Sequence, residues 1–431
     1  MRKTKILKFD NGATLLYSKT KKKASAWNFT FVGGYMEDKK EGVAHFLEHM
    51  LLKNTKKRSQ AEINRDMLEI CRTNAYTSSL KTTVDTLRTN RLTENTLEFL
   101  SDIMFNTQLE DKYIQSEKGV IHEELNRELD NNLTSIDNYH YAQMYETDFD
   151  YPKGLGSHEN IESMTKEELN EYRQRNYVAQ NFIMSVVTKY PLHKIKKLYK
   201  KFVEPNLIIA KEYSPVKKHS TKATKPESQR LVLNESLSQI SCLISIVVDL
   251  KYDELENRTV NSYVSTLIGT RSSKLFNRLR EEGLIYTFSP ANVLCYNQET
   301  VLELYFKTSA EKLKRTIDVM SESFSEIYEN GMDESTFKTR TLNLLYLDDE
   351  AVPKDNILAK ADVNCTTYIN NGKFRKPFNW NKENKKLKLE YVNRFLKQLL
   401  SKDNKMYVTY LGNVKDEDVY TLEETKEKLL F

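Results

Sequence analysis

Residues 41–55 read EGVAHFLEHMLLKNT, with His45 and His49 four residues apart and Glu48 between them. Val43, Ala44, Phe46, Leu47 and Met50 around them are apolar, which fits one face of a helix starting near Gly42. On a helix, residues i and i+4 lie one above the other, so the two imidazoles can approach one ion. The pair is informative because the chain has 7 His in 431 residues. Glu48, three residues after His45, lies beside that ion. A catalytic zinc takes three protein ligands and keeps a position for water, whose proton a neighbouring carboxylate can accept. The stretch therefore supplies two ligands and a base, and it requires a third ligand elsewhere.

Residues 116–130, SEKGVIHEELNRELD, offer candidates for it. Glu117, Glu124 and Glu128 are spaced by seven and four residues, which returns them to nearly one helical face. His122, two residues from Glu124, points elsewhere and reads as a non-ligand.

Around these motifs the pattern alternates strands and helices. ATLLYS (13–18) and AWNFTFV (26–32) read as strands before a turn at Gly33 and Gly34. A helix over 60–70 precedes NAYTSS (74–79) and TVDTLRT (83–89), which can pair as a hairpin around Leu80. Helices follow over 93–106, where Leu97, Leu100, Ile103 and Met104 share a side, and over 111–130. Thr165 and Glu168 form a capping box for a helix to about 176, and FIMSVVT (182–188) reads as a buried strand. Residues 211–228 carry five lysines and two prolines with almost nothing apolar, a linker composition. After it the order repeats: strands RLVLN (230–234) and QISCLISIVVDL (239–250), helices, strands IYTFSP (285–290) and VLELYFK (301–307), long helices, a helix over 387–400, and MYVTYLG (406–412). The expectation is an α+β protein of two related halves, 1–210 and 229–431, joined by 211–228.

Bulk properties narrow the function. Lys+Arg 66 against Asp+Glu 61 leaves +5, too balanced to argue for a nucleic acid or anionic membrane partner. Cys71, Cys242, Cys295 and Cys365 lack CxxC spacing, so free thiols in a reducing compartment are expected. The N-terminus has no apolar signal-peptide core, and the longest apolar run, 240–248, is too short to cross a bilayer. A cytoplasmic location follows.

Three stretches together, VGGYMEDKKEGVAHFLEHMLLKNT, NAYTSSLKTTVDTL and EKGVIHEEL, resemble the M16 metallopeptidases, the inverzincins with the HxxEH motif. The resemblance implies a zinc peptidase of the LuxS/MPP-like metallohydrolase fold. Its two homologous halves, each a mainly antiparallel sheet with packed helices, would form a clamshell around a chamber. By position it makes His45, His49 and Glu124 the ligands of one Zn2+, Glu48 the general base, and Glu117 a second carboxylate supporting the metal shell. It implies that Asn74, Ala75 and Tyr76 hold an extended peptide by strand addition. RSSKLFNRLREEGLIYTFSPAN resembles the family segment that reaches the scissile carbonyl, which implies catalytic roles for Arg280 and Tyr286. One residue fewer than usual separates those two, and Thr188 stands where the family has glycine, features of a divergent branch with its own substrate preference. The implied partners are peptide substrates and a second chain, in a homodimer or a heterodimer. The alternative reading is a catalytically silent assembly subunit.

Overall fold

The computed structural model describes residues 4–69, 72–130, 132–145, 154–216, 223–248, 263–269, 273–285, 287–289, 292–296, 299–350, 356–372 and 387–431. Its strands are β1 (Lys5–Lys8), β2 (Thr14–Lys19), β3 (Ala24–Val32), β4 (Arg72–Thr77), β5 (Lys81–Thr89), β6 (Phe182–Thr188), β7 (Ser228–Leu233), β8 (Ile240–Val248), β9 (Thr287–Phe288), β10 (Asn292–Tyr296), β11 (Glu299–Thr308) and β12 (Lys405–Gly412). The helices used here are α1 (Val43–Met50), α2 (Gln60–Glu69), α3 (Thr93–Phe105), α4 (Asp111–Leu129), α5 (Asn132–Met144), α6 (His158–Glu162), α7 (Lys166–Asn176), α8 (Leu192–Phe202), α9 (Lys274–Glu281), α10 (Leu313–Asn330), α11 (Glu334–Glu350), α12 (Ile357–Asn371), α13 (Leu389–Leu399) and α14 (Leu422–Leu429).

Two sheets repeat one topology. The first runs β1-β2-β6-β3-β5-β4 and the second β10-β11-β8-β12-β7. In each, one pair is parallel, β2 with β6 and β7 with β12, and the remaining neighbours in the order are antiparallel. β2, β3, β4, β5 and β6 thus correspond to β7, β8, β10, β11 and β12. The hairpin expected around Leu80 is present as β4 and β5, with Thr77 opposite Thr82. Thr165 and Glu168 form their capping box at the start of α7. The architecture is α+β with helices packed on both sheets.

Contacts divide the chain into two units that are not continuous in sequence. One comprises Met1–Arg127, Lys153–Lys218 and Pro353–Pro377; the other comprises Glu128–Pro152, His219–Val352 and Phe378–Phe431. One boundary, Lys218/His219, falls within the lysine-rich stretch, and the two units also exchange helices. α12, from late in the chain, lies on the first sheet, with Ile357 and Ala361 against Ala26 and Val187, and Cys365 against Leu16 and Ile183. α5, from the first half, lies on the second sheet, with Ile136 against Leu243, Tyr305 and Leu411. The end of the lysine-rich stretch also joins the second unit, where Ala223 is buried with Tyr141, Val247 and Tyr407.

The exchange explains why β6 and β8 read as continuous apolar runs. A strand covered on one face alternates, whereas one covered on both faces does not. In β8, Cys242, Ile244, Ile246 and Val248 face the main core, and Leu243 and Val247 face α5. The serines that interrupt the run, Ser241 and Ser245, also fall at the odd positions, and Ser245 meets His140 of α5.

Candidate metal centre

α1 starts where the chain turns through a left-handed conformation at Gly42, φ 88°. A Cβ there would lie 2.7 Å from Leu155 O, so glycine is required for backbone angle and for space. Asp38 accepts from the N–H of Gly42 at 2.9 Å and of Ala44 at 3.2 Å, which satisfies donors left free at the helix N-terminus. Val43, Ala44, Phe46, Leu47 and Met50 then anchor the helix in the core of the first unit. His45 and His49 are left on the partly open side, with ring centroids 4.6 Å apart.

α4 faces them. Its buried stripe, Ile114, Glu117, Lys118, Ile121 and Leu125, has helical spacing, and Glu117 is a carboxylate in an otherwise largely apolar row. Glu117 is 2% exposed. One of its oxygens lies 3.0 Å from His49 Nδ1 and the other 2.5 Å from Lys53 Nζ. Glu124 Oε2 lies 3.3 Å from His49 Nε2 and 3.7 Å from His45 Nε2.

The donor set suits a metal ion. His45, His49 and Glu124 each offer one ligand atom, all within 4.8 Å of one another. Ligands around a tetrahedral zinc at about 2.1 Å from the ion sit roughly 3.4 Å apart, so 3.3 and 3.7 Å bracket that spacing. The 3.7 Å separation is too long for a hydrogen bond, and His45 Nδ1 is buried with no hydrogen-bond partner. Direct hydrogen bonding therefore does not account for the convergence.

The local electrostatics follow from this packing. Burial, reinforced by His49, pushes the His45 pKa down to about 3, which keeps its imidazole neutral. Burial works against charge on His49 too, but Glu117, Glu48 and Glu124 outweigh it and raise its pKa. Glu48 is 8% exposed. Burial raises its pKa to about 6 against the opposing pull of His49 and of hydrogen bonds from Thr77 at the end of β4. For Glu117, burial is outweighed by the hydrogen bonds of His49 and Lys53, and its pKa falls.

Of the residues picked from sequence, His45, Glu48, His49, Glu117 and Glu124 come together. Glu128 is not in the ligand group found among the described residues. His122 is turned to another task, with Nδ1 2.8 Å from His158 Nδ1 and Nε2 3.4 Å from Glu162. Asn74, Ala75 and Tyr76 lie on β4, the edge strand of the first sheet, and Asn74 is exposed. Tyr76 donates to Asp362 of α12 at 2.5 Å. Arg280 is exposed on α9 of the second unit and donates to Ile285 O at 3.3 Å. Tyr286 lies outside the described residues, as does Cys71. Lys53 and Thr77, which no sequence motif singles out, also meet these groups. Lys53 could have been found, because 45, 49 and 53 continue the same four-residue series.

Residues 13–150 match the model of the insulinase (M16) peptidase family, and residues 163–340 match that of the M16 peptidase inactive domain. The chain belongs to the M16 peptidase family. Its second matched stretch contains only His193 and His219, with no HxxEH pattern, consistent with that description. An "Uncharacterized zinc protease" of Rickettsia felis is 27% identical over 376 residues, 84% of this chain and 88% of its own. The mitochondrial-processing peptidase subunit beta of Mus musculus is 33% identical over 153 residues, 35% of this chain and 31% of its own. Among solved structures, a protease from Helicobacter pylori superposes with a TM-score of 0.80 at 16% identity, covering 95% of this chain and 100% of that one, which shows a shared fold. No described helix is long and apolar enough to cross a membrane.

Proposed function

We propose that this M16 protein is a zinc-dependent endopeptidase acting on extended peptides, including leader or signal-type peptides. One observation carries the reading: a buried carboxylate, Glu48, sits beside the converging His45, His49 and Glu124. Zinc held by those three side chains would supply Lewis acidity that lowers the pKa of a water bound to it. Glu48 is the base that accepts the proton of the attacking water on its carboxylate and returns it to the leaving amine. Its burial, with a pKa near 6, suits it to both transfers at neutral pH. Glu117 holds the His49 ring, and Thr77 steadies Glu48 from β4.

β4 pairs with β5 on one side and forms the edge of the sheet, so an extended peptide can add beside Asn74, Ala75 and Tyr76. By the family resemblance, Arg280 and Tyr286 act on the scissile carbonyl. The enzyme works in a cytoplasmic, reducing compartment, where the buried thiols of Cys242 and Cys365 stay free, and dimerises with a second chain. Cleavage of a mixed peptide library by the purified chain, with a chelator and with zinc restored, tests this. Chelator-sensitive cutting supports the peptidase, many sites indicating a scavenger and a single site a processor. Absence of cutting with bound zinc would favour the silent-subunit reading.

A further inference from the structure

Lys53 lies one turn beyond His49 on the same side of the chain as His45 and His49, just past the end of α1, with its N–H bonded to Met50 O. Its side chain is 18% exposed and its ammonium meets Glu117 at 2.5 Å. The other oxygen of Glu117 meets His49 Nδ1 at 3.0 Å. Glu117 therefore bridges the Lys53 ammonium and the His49 imidazole, one oxygen to each.

We propose that Lys53 is a positioning residue of the metal centre, holding Glu117 against His49 so that His49 offers Nε2 to the ion. The inference rests on the reading of His45, His49 and Glu124 as zinc ligands. A charged carboxylate only accepts hydrogen bonds, so Glu117 places the His49 proton on Nδ1 and leaves the Nε2 lone pair directed towards Glu124. Glu117 can hold that orientation only while both of its oxygens are satisfied, since a buried charge without its counter-charge is strongly disfavoured. Lys53 meets the second oxygen. It also brings one positive charge to a place where Glu48, Glu117 and Glu124 crowd three carboxylates around two imidazoles. Without the ammonium, Glu117 relieves its unpaired oxygen by shifting, and His49 loses the bond that fixes its ring.

The test is zinc affinity of the full chain, measured by competition with a chromophoric chelator. Lys53→Met is expected to weaken zinc binding roughly 10–100-fold, the range typical of an outer-shell partner. Lys53→Arg, which keeps the charge, is expected to stay within about threefold of wild type. Because Lys53 acts through Glu117, Lys53→Met should weaken binding no further once Glu117→Gln is present. That double variant leaves no unpaired buried charge, so the comparison survives if Lys53→Met alone fails to fold. Wild-type affinity in Lys53→Met, or losses that multiply in the double variant, would overturn the proposal. Failure of wild type to bind zinc, or wild-type affinity in His49→Ala, would instead overturn the zinc reading itself.

Discussion

His45 and His49 in the first unit, and His140 in the second, are largely buried imidazoles with opposite surroundings. His140 on α5 is fully buried, its Nδ1 2.9 Å from Thr409 Oγ1 and its Nε2 2.8 Å from Ser245 Oγ. Both of its nitrogens are satisfied by hydroxyls that can donate or accept. His45 keeps a buried Nδ1 with no partner, and its Nε2 points with that of His49 at one oxygen of Glu124. Burial pushes His45 and His140 alike down to a pKa of about 3, so a shifted pKa does not separate the two cases. Lone pairs converging on a carboxylate do. The frame around them is shared, since β3 is followed by α1 and the equivalent β8 by a helical stretch at 263–268, where Tyr263, Val264 and Ile268 are buried. One topology thus carries donor side chains in one unit and apolar ones in the other.

Exchanging each histidine for alanine separates the two sites most clearly. His49→Ala is expected to weaken zinc binding by more than about 100-fold, beyond the contribution of an outer carboxylate, while His140→Ala leaves zinc stoichiometry unchanged. Chelator competition on both variants checks this, and equal effects would erase the distinction. In denaturant unfolding the weights reverse: His140→Ala is expected to cost about 2–4 kcal/mol, from a cavity and two stranded hydroxyls.

The same residue gives a pH dependence with a defined sign. His140 titrates near 3 when folded and near 6.5 when unfolded, so between those values the unfolded chain binds the extra proton. Its stabilising effect is complete above about pH 6.5 and declines as pH falls, by about 2 kcal/mol at pH 5. The difference in unfolding free energy between wild type and His140→Gln should shrink by that amount from pH 7 to 5. A constant difference would show that His140 is not held neutral. The smallest effect concerns the exchanged helix on the other sheet. Asp362 of α12 accepts from Lys81 and from Tyr76, both at 2.5 Å. Its side chain is partly exposed, and asparagine keeps an acceptor oxygen for the nearly buried Lys81, so Asp362→Asn is expected to cost only about 1 kcal/mol in the same unfolding assay.

Much of the first unit is legible in the sequence because its signals are local. The four-residue spacing of His45 and His49, the seven-residue spacing of Glu117 and Glu124, and the capping box at Thr165 are each fixed within one or two helical turns. The exchange of α5 and α12 is not local. Their partners are the far faces of β8 and β6, more than a hundred residues away, and the only trace is that those strands read apolar on both faces. The serines of β8 look like blemishes in an apolar run until His140 is seen to bond Ser245. Lys53 is half legible: its position continues the four-residue series of 45 and 49, but a lysine after a helix usually reads as solvated, and the fold is what puts the buried Glu117 opposite it.

In the proposed function the first unit holds a metal and a separate base, and Glu48→Gln separates the two most directly. Zinc content and peptide cleavage should be measured on wild type and on this variant. About one zinc per chain is expected in both, with a loss of cleavage of about 1,000-fold or more in Glu48→Gln, in line with removal of a general base. Cleavage at the wild-type rate, or loss of zinc together with activity, would contradict that function.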